Sequence, residues 1–547
     1  MNAQQKKIFL VLLLLSALYF VLFISPNLTG AQDANMLSVF EVDEYAQYPN
    51  VIRMLTPGDT FYQSIRNFAV YEHYFYGYPF YFFSALVLFP LKWITGAGWV
   101  NNTPLIVATL RQMINVLPMI ISLLLLVFIQ TRFKSWWRSL GLFILLLSVP
   151  VIIVNNLWWH PDSLVFLFVV LTFFFLDRDD LRFGWNFYLA AAACGLAVGT
   201  KYLGAFFVLA IPLYLIWGIA ARTLTWLRGV LLGALFVVVM AAAVVISNPL
   251  LLLPIERGEI IATQVWQFQQ TSVGIILANT EPLFKLGEYP EDLRVHYGEW
   301  FFMLLALIGL VIGLVRPQKR RLNALILAWM VPFTITIAMM GTRRTHYFLP
   351  VLLPLFSTLI NYFPSGGFSL DGLKNRPALG TALRRLVPAA AAVIIGVQFV
   401  LFLRTDANIY ATQLNRENDA PSIASYRQMD QQVFSRLEGL HLTIYHDWRI
   451  YLPPHSGLRE EMNWDMATYP YIQELSPDLI LLERENVALF SEADVVQKAV
   501  NPGNMQLIHE FYRDAGEDQL PGYHLVYHDH FGYALVKQDL YQKYFQP

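Results

Sequence analysis

The sequence predicts a polytopic α-helical membrane protein of about eleven spanning helices, followed by a soluble α/β domain at its C-terminal end. Three observations predict this fold class. The 547 residues are 56% apolar and only 14% charged, whereas about 25% charge is usual in a soluble protein. Apolar runs approaching or exceeding the roughly 17–25 residues that cross a bilayer recur through the first three quarters of the chain. Beyond residue 403 the composition turns soluble.

The first element is Ile8 to Ile24, preceded by Lys6 and Lys7. No small-residue cleavage pattern follows it, so it reads as a retained signal-anchor helix. The runs expected to span are 8–25, 105–130, 139–157, 163–176, 186–200, 203–220, 229–247, 300–315, 322–341, 347–363 and 386–403. Every second loop between them is basic. Arg132, Lys134 and Arg138 follow the second span, Arg178 and Arg182 the fourth, and Arg222 and Arg228 the sixth. Arg316, Lys319, Arg320 and Arg321 follow the eighth, and Lys374, Arg376, Arg384 and Arg385 the tenth. The positive-inside rule makes these loops cytoplasmic. The expected topology is a multi-pass inner-membrane protein with its N-terminus inside and its C-terminal domain outside.

The segment Tyr78 to Thr95 is apolar too, but a full crossing there would invert every later loop. It reads as an in-plane or partly inserted helix, its aromatic residues suited to the interface. Two external loops are large, 26–104 and 250–299, the second with an amphipathic stretch from Glu259 to Gln270. Residues 1–403 form the expected membrane module and 404–547 the soluble domain. In that domain the alternation suggests strands at Leu442–His446, Asp478–Glu483, Met505–Phe511, His524–His528 and Tyr533–Lys537. A net charge of −1 gives no footprint for nucleic acid. The single cysteine, Cys194, excludes a disulfide within the chain.

Ionisable residues are costly near a bilayer, which makes their placement informative. In this topology they gather at the external ends of the spans. Glu41, Asp43 and Glu44 follow span one, and Arg111 opens span two. His160 and Asp162 join spans three and four, Lys201 joins five and six, and Arg343, Arg344 and His346 join nine and ten. A carboxylate can take a proton from an acceptor hydroxyl. Cations can hold a phosphate and stabilise the charge that grows on it as it leaves. The chain contains no nucleotide-binding loop, so a donor carried on a lipid phosphate fits better than a nucleotide sugar.

Five segments, in order, resemble the GT-C fold glycosyltransferases, the group that includes protein O-mannosyltransferases and lipid A aminoarabinose transferases. They are Val42-Asp43-Glu44-Tyr45 directly after span one, Leu110-Arg111, His160-Pro161-Asp162, Gly199-Thr200-Lys201, and Arg344-Thr345-His346-Tyr347-Phe348-Leu349-Pro350. The resemblance covers roughly residues 1–400. It implies inverting transfer of a sugar from a polyprenyl-phosphate donor to a lipid, glycan or protein acceptor. Asp43 would be the general base, with Glu44 beside it. Asp162 would help to position acceptor or sugar. Arg111, His160, Lys201, Arg343, Arg344 and His346 would be candidates to bind the lipid phosphate. Some members of the group use a divalent ion and others do not, so an ion is possible and no residue is assigned to one. Where mannosyltransferases continue to a His-Pro-Pro sequence, this chain has Glu72-His73-Tyr74 and Gly77-Tyr78-Pro79.

Plainer readings exist for each residue. Asp43 and Glu44 could be a solvated acid pair, Glu41 could pair with Arg53, and Asp162 could cap a helix. Arg343 and Arg344 could snorkel to headgroups, and Asn27-Leu28-Thr29 matches a glycosylation pattern that is frequent by chance. The alternative class is a transporter or lipid flippase, which should show repeats and buried charge at mid-depth. A third is a non-catalytic envelope assembly protein.

Overall fold

The computed structural model describes residues 1–278, 289–340, 344–363 and 377–546. Among them six helices are long and apolar enough to cross a membrane, or up to eight if two bent pairs each count as one span. The bent pairs are Trp136–Leu147 with Pro150–Asn156, turning by 61°, and Glu291–Tyr297 with Trp300–Val315, turning by 68°. Other runs expected to span form shorter helices, among them Asp162–Asp179, Trp185–Thr200 and Leu349–Ser357. The last of these shows how short elements serve at membrane depth. Every residue from Leu349 to Tyr362 is buried, and the helix passes into a 3-10 turn, Thr358–Tyr362. Thr358 donates to the Ala306 carbonyl and Asn361 to that of Gly309, each at 3.0 Å. Irregular backbone is tolerated there because protein, not lipid, surrounds it.

The two ends of the bundle differ chemically. At one end Arg132 pairs with Asp177 and Arg321 with Asp180. Lys319 donates to the Gln130 carbonyl, and the Gln5 side chain to that of Arg132 at 2.8 Å. Loops read from the sequence as one basic face thus meet in space. Asp43, His160, Lys201 and His346 belong to the opposite end.

The Tyr78–Thr95 helix passes the length and apolarity test for a span, but both its ends are held at the Asp43 end. Gly77 N donates to Thr200 O at 3.0 Å and Tyr78 N to Asn248 Oδ1 at 2.8 Å. Its last turn reaches the neighbouring Val42–Leu55 helix through Lys92, which donates to Leu55 O. The same neighbour touches Thr103 through the Tyr48 hydroxyl at 3.4 Å. Thr103 starts the helical stretch that ends at Thr131 beside the basic cluster. Both ends of the helix are thus tied to neighbouring elements, through Thr200 and Asn248 at its start and Leu55 at its last turn.

The helix Pro377–Asp419 continues through the boundary expected at 403. The globular unit after it carries one five-stranded sheet in the order β2-β1-β3-β5-β4. The strands are β1 Leu442–His446, β2 Leu458–Glu461, β3 Leu479–Glu483, β4 Tyr523–His528 and β5 Gly532–Lys537. β1 runs parallel to β2 and β3, and β5 runs antiparallel to β3 and β4. The strand expected at Met505–Phe511 is instead part of a helix, Pro502–Gly516. Met505, Ile508, Phe511, Tyr512 and Ala515 are its buried residues, at helical spacing, and the Asn501 side chain caps it through Asn504 N. β2 escaped notice because an edge strand reading Leu-Arg-Glu-Glu carries little apolar signal.

The globular unit docks on the loop after the first span. Tyr451 Oη donates to Asp33 Oδ2 at 2.7 Å, and Asn35 Nδ2 donates to Leu452 O at 2.9 Å and also to Glu460. Burial pushes the Glu460 carboxyl up to about 7, against the Asn35 hydrogen bond. A carboxyl that binds its proton more tightly when folded loses stability as pH rises, here from about 4.5 towards about 7. Hydrogen exchange in Asp33–Phe40 is therefore expected to be faster at about pH 8 than at about pH 5, beyond the intrinsic rate change. Glu460→Gln is expected to flatten that difference, and an unchanged difference in the variant would assign the effect elsewhere.

Candidate active site

One buried ion pair organises the site. Glu44, in the first turn of the Val42–Leu55 helix, accepts from Arg111 Nε at 2.8 Å and from Nη2 at 2.5 Å. Both side chains are 0% exposed. Arg111 Nη1 donates to the carbonyls of Asn27 and Thr29, each at 3.0 Å. Glu44 Oε1 also accepts from Trp159 N at 2.6 Å. Arg111–Val116 is a turn of the wider π-helix, a distortion common near functional sites. Asn115 in the same turn holds His160 by its backbone, accepting from N at 3.3 Å and donating to O at 3.0 Å. Trp159 stacks on Phe80, and its Nε1 donates to Ser84 Oγ at 3.0 Å. His160 is thus fixed by three separate elements.

Around His160 stands a buried cluster. Its Nε2 is 2.7 Å from the Tyr76 hydroxyl and 4.0 Å from Asp43 Oδ2. Its Nδ1 faces Asp162 Oδ2 at ion-pair distance. Asp162 Oδ1 accepts from Lys201 Nζ at 2.8 Å, and His346 Nε2 lies 3.6 Å from Oδ2. Lys201 Nζ stands 4.8 Å from the Tyr347 ring centroid and 5.9 Å from that of Tyr76. Trp158 packs against both His160 and His346. Glycine enables this arrangement. A Cβ on Gly77 would lie 1.6 Å from the Gly199 carbonyl oxygen, so only glycine lets the Tyr76 segment rest on the helix that delivers Lys201. Burial holds His160 and His346 below the usual histidine range, with Lys201 adding to the effect and Asp162 opposing it.

His160, Asp162 and His346 could hold a divalent ion, since their ligand atoms lie within 4.8 Å of one another. Two of these atoms, His160 Nδ1 and Asp162 Oδ2, face each other yet are buried without a hydrogen bond of proper geometry. Two imidazoles and a carboxylate suit a transition-series cation.

Asp43 differs from this cluster in being 52% exposed. It opens onto a cavity of about 1770 Å³. The walls are the Val42–Leu55 helix with His73–Tyr76, the end of the Pro254–Val273 helix, and the globular unit through Trp448, Trp464 and Asn504. His73, whose Nδ1 is 2.5 Å from Tyr81 Oη, is lowered to about 4 by burial, with Asp43 opposing.

The structure brings together Asp43, His160, Asp162, Lys201 and His346. Arg344 is exposed, two residues before His346, and Arg343 lies outside the described residues. Two of the candidates are placed differently from the rest. Arg111 is sealed in protein, with its guanidinium donating to Glu44 and to two backbone carbonyls. Glu44 is equally buried, and its carboxylate oxygens accept from Arg111 and from Trp159 N. Glu41 does not pair with Arg53, which binds Glu72. Asn27 is fully buried and donates to Asn156 O at 3.1 Å, which removes it as a glycosylation acceptor in the folded chain. Sequence reasoning missed Tyr76, Asn115 and Trp158. The aromatic density of Tyr71 to Tyr81 was a signal for the first; nothing local marked the others.

No family model matches the chain, and no curated protein matches it. Solved structures do. The apo oligosaccharyltransferase of Archaeoglobus fulgidus aligns with a TM-score of 0.50 at 12% identity, covering 91% of this chain and 72% of that one. The archaeal oligosaccharyltransferase AglB from the same organism, in complex with an inhibitory peptide and a dolichol-phosphate, aligns at 0.48 and 13% identity over 95% and 74%. ArnT from Cupriavidus metallidurans bound to undecaprenyl phosphate aligns at 0.45 and 11% identity over 85% and 88%. The chain shares its fold with that apo oligosaccharyltransferase, and among its described residues six to eight helices are long and apolar enough to cross a membrane.

Proposed function

We propose that the chain is an integral membrane glycosyltransferase. It moves a sugar from a polyprenyl-phosphate donor to an acceptor hydroxyl, with inversion at the anomeric carbon. The site faces the extracytoplasmic side, with the N-terminus in the cytoplasm. One observation carries the reading: Asp43 opens onto a large cavity while His160, Asp162, Lys201 and His346 form a buried cluster directly behind it, 4.0 Å away at the His160–Asp43 contact. Asp43 takes the acceptor proton as the hydroxyl oxygen attacks C1 of the sugar. The C1–oxygen bond to phosphate breaks, and polyprenyl phosphate leaves as an anion. Lys201 and Arg344 offset the charge on the departing phosphate. A divalent ion at His160, Asp162 and His346, when bound, supplies further positive charge beside that phosphate. A transporter would keep its charges at mid-depth, and the ionic clusters described here lie towards the two ends of the bundle.

The test supplies the detergent-purified chain with radiolabelled polyprenyl-phosphate sugars and a membrane extract as the acceptor source. Label is expected to move to a product of inverted configuration as free polyprenyl phosphate appears. A donor that stays intact, or that only crosses vesicle membranes unchanged, would overturn the proposal. Arg344→Ala is expected to raise the donor KM by about tenfold with a smaller change in kcat. Arg344→Lys should recover part of the loss, since charge is kept and the bidentate geometry is not.

A further inference from the structure

The cavity above Asp43 has walls of a distinctive chemistry. Tyr45 and Trp464 lie 6.1 Å apart between ring centroids, and Trp464 and Trp448 lie 6.2 Å apart. A second aromatic group in the lining is Phe75 with Trp266, 5.4 Å apart. Trp464 and Trp266 are 47% and 46% exposed, so their faces are not used up in the core. Tryptophans of this kind, contributed by a docked globular unit and by a separate helix, line a single space. Exposed amide side chains, among them Asn504, stand between them.

Charge narrows the occupant. Among the described residues lining the cavity only Asp43, Arg53 and Asp465 carry charge, and Arg53 is paired with Glu72. Among the described lining residues a phosphorylated or uronic-acid ligand would meet two carboxylates and no unopposed cation. A peptide held by strand addition needs a free sheet edge, and no residue of either edge strand, β2 or β4, lines this cavity. A pyranose fits what is present. Its axial C–H groups make an apolar, weakly positive face that lies on an aromatic ring, whose own face is negative. Its hydroxyls pair with amides. The volume of about 1770 Å³ exceeds that of pockets for a single small ligand, which are about 300–1,000 Å³. The space therefore suits a chain of sugars.

We propose that this cavity is the acceptor cleft and that the acceptor is a neutral oligosaccharide, gripped by Trp464 with Tyr45 and by Trp266 with Phe75. This rests on the transfer reading, and it assigns the globular unit to acceptor selection.

The test uses fluorescently labelled, detergent-purified full-length chain on an array of neutral, phosphorylated and uronic-acid oligosaccharides printed beside serine- and threonine-rich peptides. Saturable binding to a neutral subset is expected. Trp464→Ala and Trp266→Ala should each weaken it by about tenfold or more, and Trp464→Phe should stay within about threefold of the parent. Trp93→Ala, at a residue 84% exposed outside the cavity, should leave it unchanged. Asp43→Asn should keep binding and lose transfer. Binding confined to peptides or anionic glycans, binding to no glycan, or unaltered binding in both tryptophan-to-alanine variants overturns the proposal, even if transfer to another acceptor is measured. Tryptophan-dependent glycan binding without any use of polyprenyl-phosphate sugars upholds the cleft and fails the transfer reading.

Discussion

Asp43→Asn is expected to lower transfer by about 10²–10⁴-fold while the protein inserts and folds normally. The substitution keeps the shape of the side chain and removes its capacity to accept a proton. Asp43 is 52% exposed, and among the described residues its nearest basic group is His160 at 4.0 Å, so little stability is at stake; changes at such positions usually stay within about 0.5 kcal/mol. The loss should fall on kcat, because in the proposed mechanism the residue acts on the hydroxyl as it attacks and not on the resting acceptor. The measurement pairs radiolabelled sugar transfer with a thermal melt in detergent. A variant that melts like the parent and turns over like it would leave the site without its base.

Asp43 and Glu44 also show what could be read in the sequence and what could not. Both follow the first span, and nothing in their order told them apart. On a helix they point about 100° apart, so one faces the cavity and the other is buried against Arg111. Which is which depends on where the Val42–Leu55 helix lies, and long-range contacts set that. Arg111 is a related case. An arginine opening a span looks like a phosphate ligand, and only the packed structure shows its donors on Glu44, Asn27 and Thr29. Sidedness, by contrast, was legible. Basic loops alternate strictly along the chain, and residues as distant as His160, Lys201 and His346 could be grouped before any contact was known. The aromatic walls were not legible at all. Trp448 and Trp464 reach the cavity because the globular unit docks on Asp33 and Asn35, and no periodicity encodes docking. Hydropathy treats each run as an independent crossing, and it gives no sign that Leu349–Tyr362 is buried in protein along its whole length.

Glu44→Ala is expected to destabilise the fold by about 3–5 kcal/mol, because removing one partner strands a buried charge. Arg111 would lose its bidentate acceptor at a site where both side chains are 0% exposed, and Trp159 N would lose the acceptor now 2.6 Å away. The Trp159–His160 segment would shift with it, so activity should fall alongside stability. The double variant Glu44→Gln with Arg111→Met distinguishes the two effects. It removes both charges together, and replacing a buried pair by neutral groups of similar volume is often close to neutral for stability. The glutamine oxygen can still accept from Trp159 N. The double variant should therefore melt well above Glu44→Ala and retain a large part of the transfer activity, since neither residue touches the reacting groups. Equal destabilisation in the two variants would mean that the charge itself holds the loop. Full folding with no activity in the double variant would move Arg111 back among the residues that meet the donor phosphate.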